Sequence, residues 1–188
     1  MSEEYQPKRS ASTTFISELY DWVEAGMVAI VCVVLIFTFV ARVAAVSGVS
    51  MSPTLIDGER VIVTRIGYTP SVGDIVVITA PTELNEPIIK RIIAVGGQSV
   101  QIDFWEGQVF VDGVLLVEDY ISDPTFLYYD LDFSQPVEVP IGRIFVLGDN
   151  RNASWDSRSS QIGMVDERYI MGYVLYRITP FDRIGRPD

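Results

Sequence analysis

The sequence predicts an all-β domain of short antiparallel strands behind one amino-terminal transmembrane helix. Two observations carry that reading. Residues 25–41 read AGMVAIVCVVLIFTFVA, without a single charge, at the short end of the about 17–25 apolar residues that span a bilayer. Beyond residue 55 the pattern changes to short β-branched segments broken by turns containing Gly, Asp and Pro, which is how a strand-rich domain reads. The expected layout is a polar tail over 1–23, an anchor over 24–46 and a β-rich domain over 47–188.

Taken in order, the tail is expected to become helical near residues 15–22. The apolar run begins late and lacks a strongly basic lead, which argues against a cleaved signal sequence. A core helix of one small domain is seldom apolar on every face. Residues 43–46 extend the run past Arg42, whose long side chain can snorkel to headgroups. Lys8 and Arg9 precede the span while Arg42, Arg60 and Arg65 follow it, so the basic residues do not orient it. Strands are then expected over 60–65, 74–80, 88–95, 100–105, 109–111, 114–117, 144–147 and 169–178. Glu106-Gly107 and Asp112-Gly113 read as hairpin turns. Residues 165–169 read as a helical turn, and 119–140, rich in Tyr, Asp and Pro, as a loop or flap.

Composition removes several classes of function. A net charge of −11 argues against a nucleic-acid partner, which requires a basic surface. Cys32 is the one cysteine, so no internal disulfide and no Cys-based metal site can form. No acidic run has the spacing of a calcium loop. The chain has no histidine, which rules out a Ser-His-Asp triad, a Cys-His dyad and a His-ligated metal.

Residues 46–55 crowd three serines and a threonine around Gly48 and Pro53. Ser50 is the candidate nucleophile. Its base must be a lysine, a carboxylate or an amino terminus. Small hydroxyl residues beside Gly and Pro also make ordinary turns. Of the 14 Lys and Arg residues only Lys8 and Lys90 are lysines, and Lys8 precedes the span. Strand alternation puts Ile88, Lys90, Ile92 and Ala94 on one face. If that face is inward, desolvation lowers the lysine pKa and frees a neutral amine. Alternation alone leaves a second reading open, in which Lys90 snorkels from an edge strand. Residues 148–158 are dense in turn-forming and charged groups; alone they also describe a surface loop held by Asp–Arg pairs, and Asn152-Ala153-Ser154 matches a glycosylation acceptor.

Together these pieces resemble type I signal peptidases. Ser50-Met51-Ser52-Pro53-Thr54-Leu55 is similar to the family's S-M-x-P-T-L box, and Gly73-Asp74-Ile75-Val76-Val77 to its G-D-I-V strand. Lys90-Arg91-Ile92-Ile93 resembles the K-R-V-V box, and residues 148–158 the G-D-N-R-x-x-S-x-D-S-R box. Four boxes in the right order behind one apolar run make a specific combination. The resemblance implies a membrane-bound serine endopeptidase that removes signal peptides from secretory preproteins through an acyl-enzyme, cutting after small residues. It implies Ser50 as nucleophile, Lys90 as general base, Ser154 as the hydroxyl that bonds and orients the lysine amine, and Asp156 with Arg158 as a structural ion pair. It also implies no metal or cofactor, an all-β catalytic domain against the outer face of the plasma membrane, contact with lipid, and a monomer with a single span.

The chain departs from the family at three places. The turn after the lysine box reads Ala94-Val95-Gly96-Gly97-Gln98, without the usual Pro and Asp. Gly48 occupies the position where some members carry a serine near the oxyanion hole, so main-chain N–H groups, that of Ser50 first, are expected to hold the oxyanion. In an extended approach Ser47 would point away from Gly48 and Ser50. The 100–140 stretch is short for members with large inserts. Self-cleaving repressors share the dyad but carry a basic DNA-binding module, which is absent from this composition. A non-catalytic membrane-anchored β module is the other alternative. Phe104 and Trp105, at the tip of an expected hairpin, are candidates for lipid contact or for the core.

Overall fold

The computed structural model describes residues 11–35, 40–79 and 86–187. Two compact units divide at Val40 and Ala41. The first is the helix α1, Ala11–Leu35, whose side chains from 18 to 35 are exposed. Among the described residues no helix is long and apolar enough to cross a membrane. Positions 36–39 of the expected anchor lie outside the described residues, as does Lys8. The carboxyl end of that anchor is corrected: Arg42–Ala45 form strand β1, paired with β2, Arg60–Thr64. All four residues pair one to one with Val63, Ile62, Val61 and Arg60, and the ladder satisfies backbone polar groups that a helix would otherwise have paired internally.

The second unit is all-β and antiparallel, as its sequence pattern predicts. The remaining strands are β3 Ile75–Ile78, β4 Ile88–Val95, β5 Ser99–Asp103, β6 Gln108–Val111, β7 Val114–Leu115, β8 Val137–Glu138, β9 Arg143–Leu147, β10 Val165–Asp166 and β11 Ile170–Thr179. One sheet has the order β1-β2-β11-β3-β4-β9-β10 and the other β7-β6-β5-β8. The Asp112-Gly113 turn has both residues at positive φ, 52° and 75°, the geometry that matches the twist of a two-residue hairpin. Residues 165–169, read as a helical turn, divide into β10 and a 3-10 turn over Glu167–Tyr169. β8 lies inside the stretch read as loop, and its two residues pair with β5.

Three apolar clusters hold this unit. Ile93, Ala94, Phe145 and Leu147 of the larger sheet pack with Val100, Ile102 and Val109 of the smaller one. Phe104 joins that cluster and meets Tyr128 edge to face, whereas Trp105 stays 87% exposed. Phe104 thus takes the core position and Trp105 does not. A second cluster joins Met51 and Leu55 to Val61, Val63, Ile75, Val77 and Val174. Met51 and Leu55, 2% and 0% exposed, plug the Ser50 turn into the sheet. Two such side chains buried in full contribute about 1.5–3 kcal/mol each.

Candidate active site

Ser50 opens a tight turn in which the Ser52 N–H donates to the Val49 carbonyl and the Leu55 N–H to that of Met51. The approach to it is not extended, contrary to the alternation argument. Gly48 has φ +85° and its N–H donates to Asp57 Oδ1 at 2.8 Å. A left-handed residue breaks the two-residue alternation on which the orientation of Ser47 was argued. Gly48 thus shapes the approach, and its N–H is already engaged. Ser47 lines the same cleft as Ser50, together with Ala45 and residues 86–90, in a volume of about 200 Å³. No acceptor among the described residues meets the Ser50 N–H.

Lys90 lies on β4 opposite Val76 of β3. It is 3% exposed, so the inward reading holds and the edge-strand one does not. Its Nζ lies 2.8 Å from Ser50 Oγ and 3.0 Å from the Ile89 carbonyl oxygen. Burial pulls its pKa down from 10.5 to about 8, against the opposing pull of Asp156 and Asp149. No carboxylate among the described residues pairs with it directly.

The loop after β9 brings the third sequence box against these two. The Asn150 N–H donates to the Ser50 carbonyl at 3.0 Å, and the Asn150 side chain donates to that of Val49 at 3.2 Å. Asp156 and Arg158 form the expected ion pair at 2.8 and 2.9 Å, wholly buried, and Arg158 also donates to the carbonyls of Leu127 and Arg151. Asp156 in turn accepts the Gly148 N–H at 3.2 Å. Ser154 does not make its expected bond. Its buried hydroxyl meets no hydrogen-bond partner among the described residues, and the lysine amine uses Ser50 and Ile89 instead. Its place is nevertheless tight: a methyl group on Gly148 would fall 2.1 Å from Ser154 Oγ and 2.5 Å from the Ser50 carbonyl oxygen.

Sequence reasoning missed two further buried pairs. Arg91 grips Asp149 with two bonds, at 2.9 and 2.7 Å, donates to the Gly73 carbonyl and stacks 3.9 Å over the Tyr120 ring. Arg151, fully buried, pairs with Glu118 and donates to Thr125. Arg91 and Asp149 each stood beside a chosen residue, in the lysine and Gly148 boxes, and that adjacency was the available signal. Glu118 and Tyr120 had none. Among the described residues no cluster of His, Cys, Asp or Glu is arranged to hold a metal ion.

A serine hydroxyl against a buried, weakly basic amine is the layout of a serine hydrolase without histidine. Residues 19–179 match the sequence profile of the family described as "Signal peptidase, peptidase S26". The chain is 39% identical over 170 residues to a probable signal peptidase I-1 of Synechocystis sp., a match spanning 85% of this chain and 82% of that one. It is 35% identical over 186 residues to a signal peptidase I of Bacillus licheniformis, spanning 94% and 97%. A crystal structure of a signal peptidase I from Enterococcus faecalis aligns with a TM-score of 0.47 and 30% identity, over 57% of this chain and 98% of that one. The chain belongs to the signal peptidase, peptidase S26 family, and is a serine endopeptidase.

Proposed function

We propose that this endopeptidase removes amino-terminal signal peptides from secretory precursors at a membrane surface, with Ser50 as nucleophile and Lys90 as general base. The observation that carries the reading is the 2.8 Å contact between Ser50 Oγ and a Lys90 amine that burial makes weakly basic. Neutral Lys90 accepts the Ser50 proton as Oγ bonds the scissile carbonyl carbon. The free Ser50 N–H is the first donor to the oxyanion. The C–N bond then breaks, the Lys90 ammonium protonates the leaving amine, and an acyl-enzyme remains. Lys90 next takes a proton from water, the hydroxide attacks the ester carbonyl, and Ser50 Oγ departs with that proton. Asp156 and Arg158 brace the loop behind the nucleophile. Ser154 packs against Gly148 in that loop.

The cleft beside Ser50 is lined by small and aliphatic groups, Ala45, Ile88 and Ile89 among them, which suits small residues at the first and third positions before the cut. The exposed apolar side chains of α1, from Met27 to Leu35, support an anchor through residues 25–41, with the β domain on the outer face of the plasma membrane. No metal or cofactor enters any step. Incubating the detergent-solubilised protein with a secretory precursor and sequencing the new amino terminus tests the proposal. A cut after a small residue is expected, and the same cut by a Ser50→Ala variant overturns it.

A further inference from the structure

The turn that carries Ser50 is fixed on one side by Met51 and Leu55 in the core and by Asn150 on the Ser50 carbonyl. Its opposite side, Pro53 and Thr54, presents two carbonyls to a partly buried charge cluster whose arginines come from the far end of the chain. Arg183 Nη2 donates to the Pro53 carbonyl at 3.1 Å and to that of Thr54 at 3.4 Å. Arg177 Nη1 donates to the Thr54 carbonyl at 2.8 Å, and its Nε to the Arg183 carbonyl at 2.5 Å. Glu59, 4% exposed, holds both guanidinium groups, Arg183 at 2.6 Å and Arg177 at 3.5 Å. The segment bearing Arg183 is itself pinned, because Arg177 and Gly185 exchange both main-chain hydrogen bonds.

We infer that Arg177 and Arg183, gathered by Glu59, are positioning residues that hold the Ser50 turn in register with Lys90. The inference rests on the reading of Ser50 as nucleophile. The two arginines touch neither Ser50 nor Lys90; they act through the carbonyls three and four residues past the nucleophile. A guanidinium presents five donors in a rigid fork, so one arginine spans two adjacent carbonyls while keeping its carboxylate, whereas a lysine has three donors on a single atom. The contact being protected has little tolerance, since a displacement of about 1 Å at a reacting group costs about a hundredfold in rate. Glu59 leaves the turn by a main-chain bond from the Val46 N–H to its carbonyl, so the same residue closes the loop at its base and holds the arginines across it.

The test uses the full chain in detergent with one secretory precursor, comparing Arg183→Gln, Arg183→Lys, Arg177→Lys and Ser50→Ala. Arg168→Gln serves as control, because its ion pair with Asp166 is on the surface and touches no residue of the turn. Arg183→Gln is expected to lower kcat and the single-turnover acylation rate by about 10- to 100-fold with KM changed by less than about twofold, the pattern of a misplaced reacting group. Arg183→Lys should recover part of that loss, Arg177→Lys should lose less than Arg183→Gln, and Arg168→Gln should behave as the unmodified chain. An Arg183→Gln kcat within about twofold of the unmodified value overturns the inference. So does a kcat loss that disappears once the assay is run well below the variant's melting midpoint, which would make the arginines purely structural. An active Ser50→Ala would remove the nucleophile reading and the inference with it. An inert Ser50→Ala beside an unaffected Arg183→Gln would remove the inference alone.

Discussion

Lys90 and Arg91 are consecutive on β4 and similarly withdrawn from water, 3% and 4% exposed, yet the regions around them treat the two charges in opposite ways. Arg91 meets Asp149 through two bonds, a carbonyl and an aromatic face. Lys90 meets a hydroxyl and a carbonyl, and its nearest carboxylates stop short of an ion pair. The difference teaches that burial alone does not create a base. A buried cation with its carboxylate stays charged, and one deprived of it becomes weakly basic. β4 places side by side a guanidinium with a carboxylate partner and an amine without one.

The largest effect should come from turning one neighbour into the other. Lys90→Arg puts a permanently protonated group where a neutral amine is needed, and processing should fall at least about 10⁴-fold, as it should for Lys90→Ala and Ser50→Ala. Initial rates on a precursor check this; a Lys90→Arg rate near the unmodified one would remove Lys90 as the base. Next comes stability, with opposite signs at the two positions. Arg91→Met strands Asp149 and should cost about 3–5 kcal/mol in urea unfolding. Lys90→Met removes a buried charge without a carboxylate and should stabilise the fold at pH 7 by about 1–3 kcal/mol while abolishing activity. Destabilisation by both would mean that Lys90 is paired after all.

Proton uptake sharpens the same contrast. Activity should rise with pH through about 8, where Lys90 loses its proton in the folded chain. The folded value lies below 10.5, so folding disfavours the charged amine. Its cost of about 3 kcal/mol is fully present below pH 8, shrinks as pH rises and vanishes above about 10.5, so this group makes stability increase with pH across that window. Comparing chemical unfolding of the unmodified chain and Lys90→Met across those pH values isolates that slope.

Smaller effects belong to the surroundings of Ser50. Ser154→Ala should lower the rate by less than about tenfold, since its hydroxyl holds no bond to lose. Gly48→Ala finds open space but a φ of +85°, a strain of about 1–2 kcal/mol in thermal unfolding. Ser47→Ala should change single-turnover rates least; a loss of about a hundredfold, the size of a lost oxyanion donor, would assign Ser47 to the oxyanion.

Much of the site was legible because its parts are local. The Ser50 turn, the Lys90 strand and the 148–158 loop each occupy a short run whose residue types state a chemistry, and the absence of histidine left few candidates for a base. The hairpin at Asp112-Gly113 was legible for the same reason. What escaped is carried by contacts between distant residues. Arg183 reaches Pro53 across 130 positions and Arg151 reaches Glu118 across 33, and no local pattern marks either end. β1 was hidden differently: Val43, Ala44 and Ala45 suit an apolar helix as well as a strand, and only the pairing with β2 decides. Ser154 shows the limit of a role carried over from a resemblance, since the residue is in place and buried while its hydroxyl meets no partner among the described residues.

Gly148 carries a consequence for protein engineering. The space its side chain would fill is occupied by the Ser154 hydroxyl and the Ser50 carbonyl, and even a methyl group would overlap both. The two loops meet there with no slack to absorb a mismatch. A chimera that exchanges the 148–158 loop between relatives must therefore bring the matching Ser50 turn with it, so that both halves of the graft come from one parent.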